Sequence, residues 1–137
     1  MPRILSIDYG KKRTGLAWTD PLQIIATGLD TLPTPQLRDW LAKTIGQEEI
    51  EAILVGYPTR MDGSDSHVTE EVRELIHHIS TKFPQIDVHK WDERFTSKLA
   101  MDALIQSGIS KKKRREKGRI DQMSAVLMLQ EYLQGRG

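Results

Sequence analysis

The opening stretch, residues 3 to 18, constrains the fold most. Ile4, Leu5 and Ile7 form the short apolar run that a buried strand needs, and it ends on a carboxylate, Asp8, followed by Gly10 and the cations Lys11, Lys12 and Arg13. Gly10 and Gly15 permit the chain to reverse, and Leu16-Ala17-Trp18 reads as a second strand returning beside the first. Asp8 is thus expected on the rim of a sheet, beside a basic hairpin. An isolated Asp-x-Gly more often caps a turn. Its meaning depends on what the rest of the chain brings to the same rim.

The chain then alternates strand and helix signals. Leu22 to Thr31 reads as an edge strand with a bulge or bend at Gly28. Thr34-Pro35 reads as a helix start, threonine at the N-cap and proline at N1, with Leu37, Trp40, Leu41 and Ile45 on one face until Gly46. Ala52-Ile-Leu-Val-Gly56 is an unbroken apolar run, the mark of a central parallel strand covered on both faces. Val68, Val72, Leu75, Ile76, Ile79 and Phe83 recur at helical spacing before Pro84. Ile86 to Trp91 is a further strand, running into Asp92-Glu93-Arg94; a helix capped by Thr96 or Ser97 reaches about Gln106. Ser110 to Gly118 is too charged to pack and reads as a mobile loop, and Ile120 to Leu133 as a last helix with Asp121 in its first turn. Ser124 and Ala125 share the face of Asp121 and are small enough to let that helix approach a sheet closely.

These elements predict one α/β domain over residues 1–137, a five-stranded mixed sheet with strands one, four and five parallel and helices on both faces. Ligands of such sheets sit beyond the carboxyl ends of the parallel strands. Asp8 ends the first strand, Asp92 and Glu93 end the last, and Asp121 starts the helix that could cover them. Carboxylates gathered that closely repel unless a cation or shared protons neutralise them. Hard oxygen ligands suit Mg2+ or Mn2+ rather than zinc, and the chain has no cysteine. His77 and His78 are adjacent on a helix and diverge, a poor basis for a joint metal site.

Charge adds a second signal. The net charge is only +1, yet half of the 20 lysines and arginines lie in two short stretches, Lys11 to Arg13 and Lys111 to Arg119. Such clusters grip polyanions while the overall balance stays moderate, although a single basic run is more often a solvated loop. The absence of cysteine, of an apolar run long enough for a membrane span and of a secretory h-region points to a soluble cytoplasmic protein without a membrane partner. An acidic rim flanked by basic loops is the chemistry of a phosphodiester-cleaving nuclease.

Four ordered motifs carry a resemblance over nearly the whole chain. Ile7-Asp-Tyr-Gly-Lys-Lys-Arg-Thr-Gly-Leu-Ala17, Val55-Gly-Tyr-Pro58 with Met61-Asp-Gly63, Asp92-Glu-Arg94 and Ile120-Asp-Gln-Met-Ser-Ala125 resemble the YqgF/RuvX family. The resemblance implies a ribonuclease H-like fold related to Holliday junction resolvases and a role as a nuclease maturing the 5′ end of pre-16S rRNA. It makes Asp8, Glu93 and Asp121 the catalytic and metal-binding trio, and pre-rRNA or branched DNA the nucleic-acid partner, held by a monomer or a homodimer. Lys11, Lys12, Arg13, Arg94, Lys111, Lys112, Lys113, Arg114 and Arg115 are the candidate nucleic-acid-binding residues. The strand ending at Val55-Gly-Tyr-Pro58 lacks the carboxylate that resolvases similar in fold place there, so Glu93 has to supply it from the next strand. Two other readings stay open at this point: a Holliday junction resolvase acting on DNA, and, from another class, a noncatalytic RNA-binding assembly factor or a nucleotide-binding module suggested by the Asp-x-Gly and Thr-Gly hairpin.

Overall fold

The structure, a computed structural model, describes residues 2–57, 67–92 and 117–136. Five strands form one sheet: β1 (Arg3–Asp8), β2 (Arg13–Thr19), β3 (Ala26–Pro33), β4 (Ile50–Tyr57) and β5 (Asp87–Asp92), in the order β3-β2-β1-β4-β5. β1 pairs antiparallel with β2 and parallel with β4, and β4 pairs parallel with β5, so the expected mixed sheet with strands one, four and five parallel is present.

β1 sits at the centre because it is apolar on both sides. Leu5 and Ile7, with Ile53 and Val55 of β4, face the helices α1 (Leu37–Gln47) and α2 (His67–Lys82), whose Leu41, Val72, Leu75 and Ile79 close that core. Ile4, with Ala17, Ala52 and Leu54, faces α3 (Lys117–Arg136), which buries Ala125, Met128 and Leu129. Spacings of three and four residues put these on one stripe of the helix. Helices therefore cover both faces.

Several boundaries differ from the sequence expectation, each for a physical reason. β3 starts at Ala26 rather than Leu22, because the Asp20 carboxylate accepts the amide protons of Leu22, Ile24 and Ile25 at 3.2, 2.8 and 2.7 Å and holds that stretch as a turn. The bulge lies beside Gly28: Leu16 and Ala17 pair with Asp30 and Gly28, leaving Leu29 as the extra residue. Thr34 does not cap the α-helix. It opens a short 3-10 turn, Thr34–Gln36, and its hydroxyl is used elsewhere. Gly56 does not end β4 but lies inside it. β5 runs one residue later than expected, while Ile86 is held in the preceding turn by a 3.0 Å bond from its amide to the Phe83 carbonyl.

α3 begins at Lys117, three residues before Ile120, since a first helical turn needs backbone geometry and no buried face. Asp121 is consequently its fifth residue and not in its first turn. The expected helix from Thr96 or Ser97 to Gln106, and the basic stretch from Ser110 to Glu116, lie outside the described residues.

Candidate active site

Asp8 ends β1 and is only 7% exposed. Its register partners are Gly15 on β2 and Gly56 on β4. Partners in one row of a sheet point to the same face, and both of Asp8's register partners are glycines that add no side chain to that row. Glycine inside a strand commonly marks the close approach of a ligand. The sequence offered Gly15 and Gly56 only as turn and strand-end signals; their pairing with Asp8 depends on the register.

The face that Asp8 shares is the one covered by α3. Ser6, two residues earlier on β1, donates its hydroxyl proton to the Ala125 carbonyl at 2.9 Å, and both residues are fully buried. That bond fixes the helix against the strand. Next to it, Ser124 is also fully buried, and its Oγ has no hydrogen-bond partner among the described residues. Gly28 opens the way for the helix on the edge strand: a Cβ built there overlaps the Gln122 amide nitrogen and lies 2.8 Å from Gln122 Cγ. Small residues at Ser6, Gly28, Ser124 and Ala125 give the close approach that the sequence led us to expect.

Asp121 precedes Ala125 by four residues, one helical turn from the Ser6 contact. Because it is the fifth helical residue, its amide lies beyond the four unpaired N–H groups of the helix start, and the structural role of a dipole-complementing first-turn acid does not apply to it. Asp92 is the last residue of β5 and pairs with Tyr57, one step beyond the Asp8–Gly56–Trp91 row. Tyr132 of α3 meets the edge of Trp91 with ring centroids 6.4 Å apart, which ties this row to the helix. Glu93, Arg94 and Lys111 to Arg115 lie outside the described residues.

Lys11 and Lys12 are exposed on the turn after Asp8, and Arg13 is exposed at the start of β2. What fixes that turn was not foreseen. Thr34 donates from Oγ1 to the Gly10 carbonyl at 2.6 Å and receives Thr14 Oγ1 at 2.9 Å, while its amide donates to the Lys12 carbonyl at 3.0 Å. Tyr9 points to the opposite face, where its hydroxyl donates to Glu71 of α2 at 3.0 Å. Burial first, and then the Glu71 carboxylate, push its pKa up to about 12. A cleft of about 380 Å³ opens there, lined by Tyr9, Lys11, Thr34, Arg38, Glu71 and Glu74 among others. It lies across the sheet from Asp8.

The model of the RuvX family, described as Holliday junction resolvase, matches residues 2–135. The chain belongs to the RuvX family. Among similar curated proteins, one from Flavobacterium johnsoniae, named "Putative pre-16S rRNA nuclease", is 50% identical over 136 residues, covering 99% of both chains. A protein of the same name from Porphyromonas gingivalis is 46% identical over 133 residues, covering 97% of this chain and 96% of its own. Among solved structures, T. thermophilus RuvC in complex with a Holliday junction substrate matches with a TM-score of 0.60 at 16% identity, covering 99% of this chain and 96% of that one. This likeness bears on the fold, and the RuvX-family chain has the ribonuclease H-like architecture that the motifs implied. Among the described residues no helix is long and apolar enough to cross a membrane.

Proposed function

We propose that this RuvX-family chain is a metal-dependent nuclease that hydrolyses phosphodiester bonds in maturing the 5′ end of pre-16S rRNA. The observation that carries the reading is Asp8: a nearly buried carboxylate at a parallel-strand end, flanked by Gly15 and Gly56, with α3 pinned two residues away by the Ser6–Ala125 bond. Gly15 and Gly56 add no side chain to the row that Asp8 occupies, which suits the close approach of a ligand to that carboxylate. The full-length relatives named for pre-16S rRNA support the choice of RNA.

The donor chemistry fits Mg2+ or Mn2+, with Asp8, Glu93 and Asp121 as the residues that would hold it. Such an ion supplies Lewis-acid stabilisation of charge developing on the scissile phosphate. Asp8 presents its carboxylate from a strand that cannot shift without breaking ladders on both sides. Lys11 and Lys12 on the adjoining turn and Arg13 at the start of β2, all exposed, neutralise backbone phosphates and orient the strand; Arg94 and Lys111 to Arg115 extend that grip.

A side-by-side cleavage assay on precursor rRNA and on four-way junction DNA, with wild type and Asp8→Asn, tests the proposal. Mg2+-dependent cutting of the RNA that disappears in Asp8→Asn is expected. Preferential cutting of the junction would establish the resolvase reading, which the family description favours. Tight RNA binding without cleavage would make the chain an assembly factor.

A further inference from the structure

The end of the sheet opposite Asp8 carries a feature that the nuclease does not use. Leu22, Ile24 and Ile25, in the turn between β2 and β3, are 62%, 67% and 62% exposed, and they are the large apolar side chains most open to water among the described residues. Single exposed aliphatics are ordinary, whereas three within four residues form a patch.

This patch is held rigidly. Besides the three amide bonds to the Asp20 carboxylate, Gln23 donates its amide to the Asp20 carbonyl at 2.9 Å, and the Asp20 amide donates to the Ile25 carbonyl at 3.1 Å. The amides of Ile25, Ile24 and Leu22 hold the Asp20 carboxyl below its ordinary pKa. Gln23 takes a φ of 59°, a left-handed conformation that non-glycine residues rarely adopt, and its side chain donates to the Pro2 carbonyl at 3.0 Å and to Glu51 at 3.3 Å. Strain and a dense polar network are thus used to keep three aliphatics in water. Preorganisation of this kind lowers the cost of binding.

Pro2 joins the knob to a cleft of about 300 Å³, floored by Ile45, Ile50 and Ile86 and edged by Glu48 and Glu49. Knob and cleft meet at Pro2, beside an acidic border made by Glu49 and Glu51, with Glu48 paired to Arg3 at 3.4 Å, so that the three glutamates and one arginine leave the border net negative. Like charge keeps RNA phosphates off this border, and an isologous contact with a second copy would set glutamate against glutamate. The complementary surface is apolar with lysines and arginines around it.

We infer that Leu22, Ile24 and Ile25, with the acidic cleft beside Pro2, dock a basic protein carried on the RNA substrate, leaving the Asp8 rim free at the other end of the sheet. The inference rests on the rRNA reading for where that partner is met. In its test, purified small-subunit precursor particles and the deproteinised RNA from them are each titrated with wild type, with a Leu22→Ser/Ile24→Ser/Ile25→Ser variant and with Glu49→Lys, melting curves confirming that each is folded. Both variants should bind the particles about tenfold or more weakly and the bare RNA as wild type does. Glu49→Lys leaves the turn untouched and keeps the test sound if the triple variant is unstable. Unchanged particle binding, or an equal change on bare RNA, overturns the inference; so does a wild-type dimer in light scattering that the triple variant dissolves. If wild type neither binds nor cuts the bare RNA, the nuclease reading fails, while the particle titration still decides the docking surface.

Discussion

The hydroxyl of Thr34 donates to the carbonyl of Gly10 across 24 residues of sequence, at 2.6 Å. One hydroxyl carries one proton, so the 2.9 Å contact with Thr14 Oγ1 must have Thr14 as donor. Thr34 thereby staples the basic turn between β1 and β2 to the entry of the first helix.

Thr34→Val keeps the shape and removes both bonds. Gly10 can turn to water, but the fully buried Thr14 hydroxyl loses its acceptor, a loss of about 1–3 kcal/mol. Thr34→Ser should recover most of it. Urea unfolding of the three proteins gives the comparison, and RNA affinity should follow the same order because the turn positions Lys11 and Lys12. Equal stability of Thr34→Val and wild type would show that the staple does not bear on the fold.

Gly28 makes room for Gln122 of α3. Gly28→Ala should destabilise by about 1–3 kcal/mol through overpacking, since the added methyl falls among Gln122 Nε2, Cδ and Cγ. Adding Gln122→Ala should restore part of the loss, giving a coupling of about 0.5–3 kcal/mol in a double-mutant cycle. Additive effects would mean that the two residues do not share the space.

Tyr9 sets an alkaline limit. Its pKa in the folded chain is raised from 10.0 to about 12, by burial first and then by the bond and charge of Glu71, so the folded state holds the proton more tightly than the unfolded one. That contribution is complete below pH 10 and is lost as pH rises from 10 through about 12. Tyr9→Phe should therefore flatten the fall of stability in that window. Among the 3 tyrosines, absorbance titration of Glu71→Gln should show one ionising earlier than in wild type, yet still later than an ordinary tyrosine, because burial remains.

The sheet could be read from the chain because its central strands are apolar on both faces and its hairpin turns on glycine, both local properties. The Asp8 rim followed from the same logic. What escaped was set by long-range register or by side chains acting away from their own element. Gly56 looks like a strand end until β1 lies beside it and makes it a neighbour of Asp8. Thr34 looks like a helix cap until Gly10 claims its hydroxyl. Leu22 to Ile25 alternates well enough for a strand, and only the Asp20 carboxylate, taking three amides that a ladder would need, turns it into an exposed knob.

The last prediction separates Asp92 from Glu93. Asp8, Gly56 and Trp91 occupy one row of the parallel sheet, and rows of paired residues share a face. Trp91 packs with Tyr132 of α3, so that face is the helix-covered side on which Ser6 meets Ala125. Along a strand the side alternates, so a carboxylate meant to join Asp8 belongs two positions after Trp91 rather than one. That favours Glu93, which lies outside the described residues, and its longer side chain suits the reach from the fifth strand to an ion held by the first. Glu93→Gln should lose Mg2+-dependent cleavage by about 100-fold or more while still binding RNA. Asp92→Asn should keep its cleavage rate, any effect falling on melting temperature. Measured together, rate and melting temperature decide the assignment: an inactive but fully stable Asp92→Asn beside an active Glu93→Gln would place the metal-binding carboxylate at position 92 and show that the strand bends at its end.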